Sequence, residues 1–140
     1  MKIVIDSNRV LAALIKDSTT REIGFDDYFE FIAPDFLITE IQKYKERVFQ
    51  AAEIDESELE ILLAFIFEHI TIISEREYDL YIEEAKEVLK DPKDIPYFAV
   101  CLAHHTDGIW THDPDFKNQK KVQIFTNIDM LNLSRKMKRE

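Results

Sequence analysis

The sequence is short of several residue types, and each shortage excludes a class of protein. Its 140 residues include only 2 Gly and 4 Pro, so no stretch has the composition of a flexible linker. The single cysteine, Cys101, cannot form an internal disulfide, and a reducing compartment, the cytoplasm, is expected. The most apolar window, residues 59–67, is too short to cross a bilayer. The composition therefore predicts a single domain, residues 1–140, with no membrane span.

Positive charge is also scarce. The chain has 18 Lys and Arg against 28 Asp and Glu, for a net charge of −10 at pH 7. General nucleic-acid-binding proteins are normally basic, so this balance argues against one. It does not exclude an enzyme that contacts phosphate through metal ions held by carboxylates. Apolar residues, in contrast, make up 46% of the chain, which is typical of a globular domain with one core.

The chain opens with an apolar strand that ends in a carboxylate. Residues 3–5 are Ile-Val-Ile and run directly into Asp6, and such a run is typical of a strand buried on both faces of a parallel sheet. Further strands are predicted at 29–33, 71–73, 108–111 and 122–125. Helical segments separate them. This alternation predicts an α/β fold, a three-layer sandwich around a central, mainly parallel sheet.

Three helical predictions bear on the later argument. Apolar spacing predicts one amphipathic helix over residues 75–89. Asp91 followed by Pro92 is typical of a helix start, with Asp91 at the N-cap, and this helix is predicted to run to His105. Residues 59–67 are apolar around most of the helix circumference. Part of that surface is therefore expected to be covered by a second copy of the chain.

Four carboxylates occupy positions where a parallel sheet gathers ligands. Asp6 and Asp113 both follow strands, and ligands bind at the carboxyl edge of an open α/β sheet. Helices begin at the same edge, which brings Asp94, in a first turn, and Glu40, one turn into a predicted helix over 36–52, toward one crevice. Clustered carboxylates repel one another, and hard cations such as Mg²⁺ or Mn²⁺ remove that cost. The pattern predicts phosphodiester hydrolysis, with one ion activating water and a second stabilising the leaving oxygen.

Each of these acids also has an ordinary structural explanation. Asp6 can cap the N-terminus of a helix, and Asp94 can interact with a helix dipole. Glu40 can form a surface pair with Lys43. Asp91 competes with Asp94 for the place in the crevice, and Asp94 is favoured because Asp91 is assigned to the helix cap.

Taken together, these motifs resemble the PIN-domain family, the ribonuclease fold that includes the VapC-like toxins. The family's opening, an apolar strand followed by Asp, Ser or Thr, and Asn, is matched by residues 3–8. Its Thr-x-Asp-x-Asp-Phe close is matched by residues 111–116. Between them, Glu40 lies inside Leu-Ile-Thr-Glu-Ile and Asp94 precedes an Ala-containing helix. The resemblance covers nearly the whole chain in the right order.

This resemblance implies a metal-dependent endoribonuclease, usually a homodimer and often held inactive by a small antitoxin. The implied catalytic and metal-binding acids are Asp6, Glu40, Asp94 and Asp113, with Asp115 as a further metal ligand. The implied supporting residues are Ser7, Asn8 and Thr111. Of these, Asn8 and Thr111 are expected to fix the loops by hydrogen bonds.

The acidic composition departs from what RNA binding would suggest. The basic residues nearest the predicted crevice are Lys43, Arg47 and Lys117, and they are the expected phosphate contacts. His104 and His105 are better explained by the dipole at a helix C-terminus than as ligands.

The sequence has three alternative interpretations. A haloacid-dehalogenase-type phosphatase carries a second Asp two residues after the first, where this chain has Asn8. A receiver domain needs an acidic pair that does not open this chain. The remaining alternative is a catalytically silent PIN-like domain that serves as a binding or assembly module.

Overall fold

The computed structural model describes residues 1–15 and 17–139. The strands are β1 (Lys2–Ile5), β2 (Glu30–Pro34), β3 (Ile70–Ile73), β4 (Gly108–Trp110) and β5 (Ile124–Phe125). They form one sheet in the order β3-β2-β1-β4-β5, and every neighbouring pair is parallel. The predicted α/β sandwich with a central parallel sheet is therefore confirmed.

Helices connect successive strands. They are α1 (Ser7–Leu14), α2 (Ser18–Gly24), α3 (Phe36–Ala52), α4 (Glu56–Glu68), α5 (Glu75–Tyr78), α6 (Ile82–Val88), α7 (Ile95–His104) and α8 (Asn127–Arg139), with short 3-10 helices at Asp79–Tyr81 and Pro114–Asn118. Within the described ranges, none of these helices combines the length and hydropathy that a bilayer span requires. The long helix predicted over residues 36–52 is α3, with the same bounds.

The core lies on both faces of the sheet because its central strand is apolar from Ile3 to Ile5. Ile3 and Val4 of β1 are fully buried, and Ile5 is nearly so. On the neighbouring strands, the Phe31 and Trp110 rings pack with their centroids 5.5 Å apart. Burying a large apolar side chain contributes about 1.5–3 kcal/mol, so β1 and its neighbours form a rigid platform for the residues that follow them.

Two helix predictions were wrong. The helix predicted over residues 75–89 is divided into α5, a 3-10 turn and α6. A residue far away in the chain holds the first part in place. The Tyr78 hydroxyl and the Glu75 N–H both donate to the carboxylate of Asp35, at the end of β2. A helical period cannot reveal that contact, since Asp35 lies far away in the chain.

The helix predicted to begin after Asp91 begins at Ile95 instead. A helix starting at Pro92 would place Pro96 in its interior, where the missing N–H costs a hydrogen bond and the ring clashes with the preceding turn. With the start at Ile95, Pro96 falls within the first two positions, where no such bond is lost. The Asp91 carboxylate caps a turn instead, accepting from the Lys93 N–H at 3.0 Å.

Gly108 is required by the close approach of β4 to β5. A Cβ built at this position would lie 2.5 Å from the Gln123 carbonyl oxygen and 2.5 Å from Cε2 of Phe125. The same approach lets the Ile109 N–H donate to the Gln123 carbonyl at 2.9 Å. Gly108 thus fixes the strand that leads into Thr111 and Asp113.

We expect Gly108→Ala to lower the free energy of unfolding by about 1–3 kcal/mol, because the added methyl group forces the two strands apart. Thermal or urea unfolding would measure the change. Gly24→Ala is the matched control: a Cβ at Gly24, in α2, meets nothing within 4 Å, and the substitution should be neutral or stabilising by about 0.5 kcal/mol. Equal losses from both substitutions would contradict this account.

Candidate active site

Three carboxylates converge where β1 and β4 end. The two strands are paired in register, with Ile5 opposite Trp110, and the Asp6 N–H donates to the Trp110 carbonyl at 3.1 Å. This register carries Asp6 and Asp113 out of the sheet side by side, and the turn before α7 brings Asp94 against them. Each residue of the trio offers a carboxylate oxygen, and these oxygens all lie within 4.8 Å of one another.

Asp6 is oriented by three hydrogen bonds. Its Oδ2 accepts from the Thr111 hydroxyl at 2.6 Å and from the Asn8 amide at 3.1 Å, and its Oδ1 accepts from the Ser7 N–H at 2.8 Å. The Thr111 hydroxyl oxygen also accepts from the Asp113 N–H at 3.0 Å. Asp6 is therefore both the N-cap of α1 and a member of the acidic cluster, so the two explanations given for it from sequence do not compete.

Asp94 is the least satisfied of the three acids. It is only 4% exposed, it makes no side-chain cap bond to α7, and among the described residues its Oδ2 has no hydrogen-bond partner. A buried polar oxygen without a partner costs free energy unless something compensates it. The ordinary explanation of Asp94 as a helix-stabilising acid does not account for this environment.

Burial and mutual repulsion both act on these acids. Burial raises the pKa of Asp94 to about 8, and the negative charge of Asp113 adds to the effect. Burial also raises the pKa of Asp6 to about 6, although the Thr111 and Ser7 hydrogen bonds partly oppose the rise. Without a cation, the folded protein therefore holds protons on these carboxyls at pH values where the carboxyls of an unfolded chain have already lost them.

A second group of acids shares Asp94. Carboxylate oxygens of Asp91, Asp94 and Asp115 also lie within 4.8 Å of one another. The turn that displaces the start of α7 places Asp91 here, and the Asp115 N–H donates to the Asp113 carboxylate at 2.9 Å, which links the two groups. From sequence, Asp91 and Asp94 were alternatives for one position, whereas the structure brings both into this second acidic group.

Glu40 lies beside these groups but belongs to neither. It is buried, at 6% exposure, and its Oε1 accepts a hydrogen bond from the Tyr97 hydroxyl at 2.5 Å. Burial raises the pKa of Glu40, while hydrogen bonds from Tyr97 and Ser7 and the charge of Lys93 oppose the rise. Its negative charge also contributes to the raised pKa of Asp6. The surface pair with Lys43 is thus replaced by a buried contact next to Asp6.

Sequence reasoning missed Tyr97, which is completely buried. The available signal was its place in the apolar segment after Asp94, because a buried tyrosine hydroxyl needs a hydrogen-bond partner. Of the three expected phosphate contacts, Lys43 and Arg47 are exposed on α3 in the turns that follow Glu40, and Lys117 is exposed on the 3-10 helix that carries Asp115.

Comparison with known proteins adds one finding. A family model described as a PIN domain matches residues 4–128, a span that takes in both acidic groups and Glu40. A search among curated proteins gives no match to the chain.

We expect the metal-free protein to lose stability as pH rises from about 4 to about 8, because the raised pKa of Asp94 means that the folded state binds more protons in this window. Asp94→Asn removes that ionisation. It should raise the free energy of unfolding at pH 8 by about 2 kcal/mol and change it little at pH 4. Thermal unfolding in a chelator would measure both.

The matched control for this experiment is Asp27→Asn, which makes the same chemical change at an exposed aspartate. It should leave the pH dependence of unfolding unaltered. A parent protein whose stability rises between pH 4 and 8 would contradict the account of Asp94.

Proposed function

The chain belongs to the PIN-domain family, whose members are generally nucleases that use divalent metals, and from this we propose that it is a metal-dependent endoribonuclease. The observation that carries the proposal is the buried Oδ2 of Asp94, which has no hydrogen-bond partner among residues 1–15 and 17–139 and lies among the carboxylates of Asp6 and Asp113. Such an arrangement is costly unless a cation completes it.

The donor set fits a hard divalent cation. Both groups offer carboxylate oxygens only, which Mg²⁺ and Mn²⁺ prefer over softer ligands. Asp6, Asp94 and Asp113 would hold one ion. Asp91, Asp94 and Asp115 would hold a second, with Asp94 shared between them.

Bound cations would supply a water of lowered pKa and neutralise charge on the phosphate. The chain's own residues would do the rest. Thr111, Asn8 and Ser7 keep Asp6 in a single orientation, which preserves the ligand geometry. Glu40, outside both groups and oriented by Tyr97, would accept a proton from the attacking water.

We also propose a toxin role, a cytoplasmic setting and a homodimer. A toxin function, with a small antitoxin as partner, is supported only by the resemblance to VapC-like toxins. A cytoplasmic setting is supported by the single, buried Cys101. A homodimer is supported by α4, where Ile61 and Phe65 are 58% and 53% exposed, since apolar surface of this kind marks interaction sites.

We expect the protein to cleave labelled single-stranded RNA with Mg²⁺ or Mn²⁺ and to lose this activity in a chelator. Attack of activated water on the phosphorus with the 3′ oxygen as the leaving group leaves a 5′-phosphate and a 3′-hydroxyl, whereas attack by the ribose 2′-hydroxyl expels the 5′ oxygen and leaves a cyclic phosphate. Asp6→Asn and Asp94→Asn should each lower the cleavage rate by at least about 100-fold, because each removes a ligand of the reacting centre.

Asp27→Asn serves as the control and should cleave at the parent rate. Cleavage that survives chelation, or cyclic phosphate ends, would reject the metal mechanism. Normal Mn²⁺ binding by calorimetry without cleavage of any RNA would favour the alternative of a catalytically silent module.

For the homodimer, we expect sedimentation velocity to give a dimer at micromolar concentration. Phe65→Ser should shift it toward the monomer, because burial of the ring is lost. Leu80→Ser is the matched control, as Leu80 is 90% exposed outside α4. A parent protein that sediments as a monomer would reject the proposal.

A further inference from the structure

Three cationic side chains gather around one aromatic ring close to the acids. Tyr44 follows Glu40 by one helical turn on α3. Lys43 Nζ lies 5.6 Å from the centroid of the Tyr44 ring, Arg47 Cζ lies 5.3 Å from it, and Lys93 Nζ lies 6.0 Å from it. The Lys93 ammonium also donates to the Tyr44 hydroxyl at 3.2 Å. Two separate parts of the chain thus contribute to this Tyr44 cluster.

The arrangement is unusual for so acidic a protein. With a net charge of −10, a lysine or arginine has many carboxylates available as partners. Among the described residues, no carboxylate forms an ion pair with any of the three cations of the Tyr44 cluster. Attraction to the ring face offsets part of their mutual repulsion. Asp91 and Glu40 act on Lys93 without forming an ion pair with it. Within the described part of the chain, the three cations around one ring therefore leave a local positive charge that an anion would neutralise.

The Tyr44 cluster adjoins the proposed metal centre. Lys93 lies in the turn between Asp91 and Asp94, and its N–H donates to the Asp91 carboxylate. Its positive charge also acts on Glu40, whose pKa it lowers. Lys93 therefore joins the Tyr44 cluster to the acids, and a polyanion with one phosphate at the acids has a second cationic contact beside it.

We propose that the Tyr44 cluster is a phosphate subsite for single-stranded RNA, which holds a backbone phosphate next to the one that is cleaved. Lys43, Arg47 and Lys93 contact the phosphate. Tyr44 is a positioning residue: its ring gathers the cations, and its hydroxyl fixes Lys93. The inference rests on the proposed nuclease function for the identity of the ligand, but its test measures binding and needs no cleavage.

This assignment extends what the sequence indicated. Lys43 and Arg47 were expected phosphate contacts by their place after Glu40, but nothing in the sequence joined Lys93 or Tyr44 to them. The subsite also explains how an acidic protein engages RNA. Contacts to phosphate are local. A few converging basic side chains therefore suffice beside an acidic centre whose charge bound metal ions would neutralise.

The test measures binding of a fluorescent 12-nucleotide single-stranded RNA by anisotropy, with Ca²⁺ present and in an Asp6→Asn background that prevents cleavage. We expect Arg47→Gln and Lys93→Gln each to weaken binding by about 5- to 10-fold. Each should also reduce the slope of log Kd against log salt by about 0.7, the value for one lost contact to a single strand.

Two further variants separate position from charge. Lys136→Gln removes one positive charge from the exposed face of α8 and should leave Kd and slope at the parent values. Tyr44→Leu keeps all charges but should weaken binding by about 3-fold or more, while Tyr44→Phe, which keeps the ring, should restore most of it.

Equal effects of Lys136→Gln and Lys93→Gln would overturn the subsite, because only the overall charge would then matter. Absence of RNA binding by the Asp6→Asn protein would overturn it as well. If RNA binds as expected but the parent protein never cleaves it, the subsite stands and the nuclease proposal fails.

Discussion

The repulsion between buried carboxylates is the constraint around which this structure is arranged. Asp6, Asp94 and Asp113 are held within reach of one another although the charges of Asp113 and Asp6 raise the pKa of Asp94, and the charge of Asp113 raises the pKa of Asp6. The fold imposes this arrangement through the backbone. Paired strands fix Asp6 and Asp113, and a turn closed by the Asp91 carboxylate fixes Asp94. The free energy for holding them comes from the apolar sheet behind, where the central strand is almost entirely buried.

A hydrogen-bond network supports the site from its other side. The Arg9 guanidinium is buried and donates to the Asn8 and Asn127 side-chain oxygens, and Asn127 also accepts from the Trp110 indole at 2.9 Å. Asn8 in turn donates to Asp6. Burial lowers the pKa of Arg9, and the nearby charges of Asp17 and Asp6 oppose this. The network therefore links α1, β4 and α8 to the orientation of one carboxylate, and it places a compensating positive charge near the acids.

Positive and negative side chains are segregated over short distances, and this reconciles the acidic composition with the proposed polyanionic substrate. The acids form two groups that share Asp94, the cations gather around Tyr44, and Lys93 is near both sets of charges. Opposite charges are thus separated by a single helical turn of α3 and by one residue of the 91–94 turn. At physiological salt, electrostatic effects extend over about 8 Å, so net charge is a poor guide to what such a site binds.

Much of this could be predicted from the sequence because the signals are local. The apolar run before Asp6, the strand before Thr111 and the alternation of elements predict the parallel sheet, and the sheet edge predicts that acids following its strands converge. One prediction failed because a residue distant in the chain matters: Asp35 holds the first part of the segment predicted as one helix over residues 75–89. The other failed for a local reason, because Pro96 is not tolerated in a helix interior and so moves the start of α7 to Ile95.

By itself, then, the sequence determined the fold and the identity of the acids that reach the carboxyl edge, because strand burial and strand direction follow from neighbouring residues. Only the tertiary structure decided how those acids are divided. It placed Asp94 in two groups, turned Glu40 toward Tyr97, and brought Lys93 to Tyr44. Each of these contacts joins side chains from separate segments of the chain. The packing of the helices on the sheet fixes them, and no local sequence pattern encodes that packing.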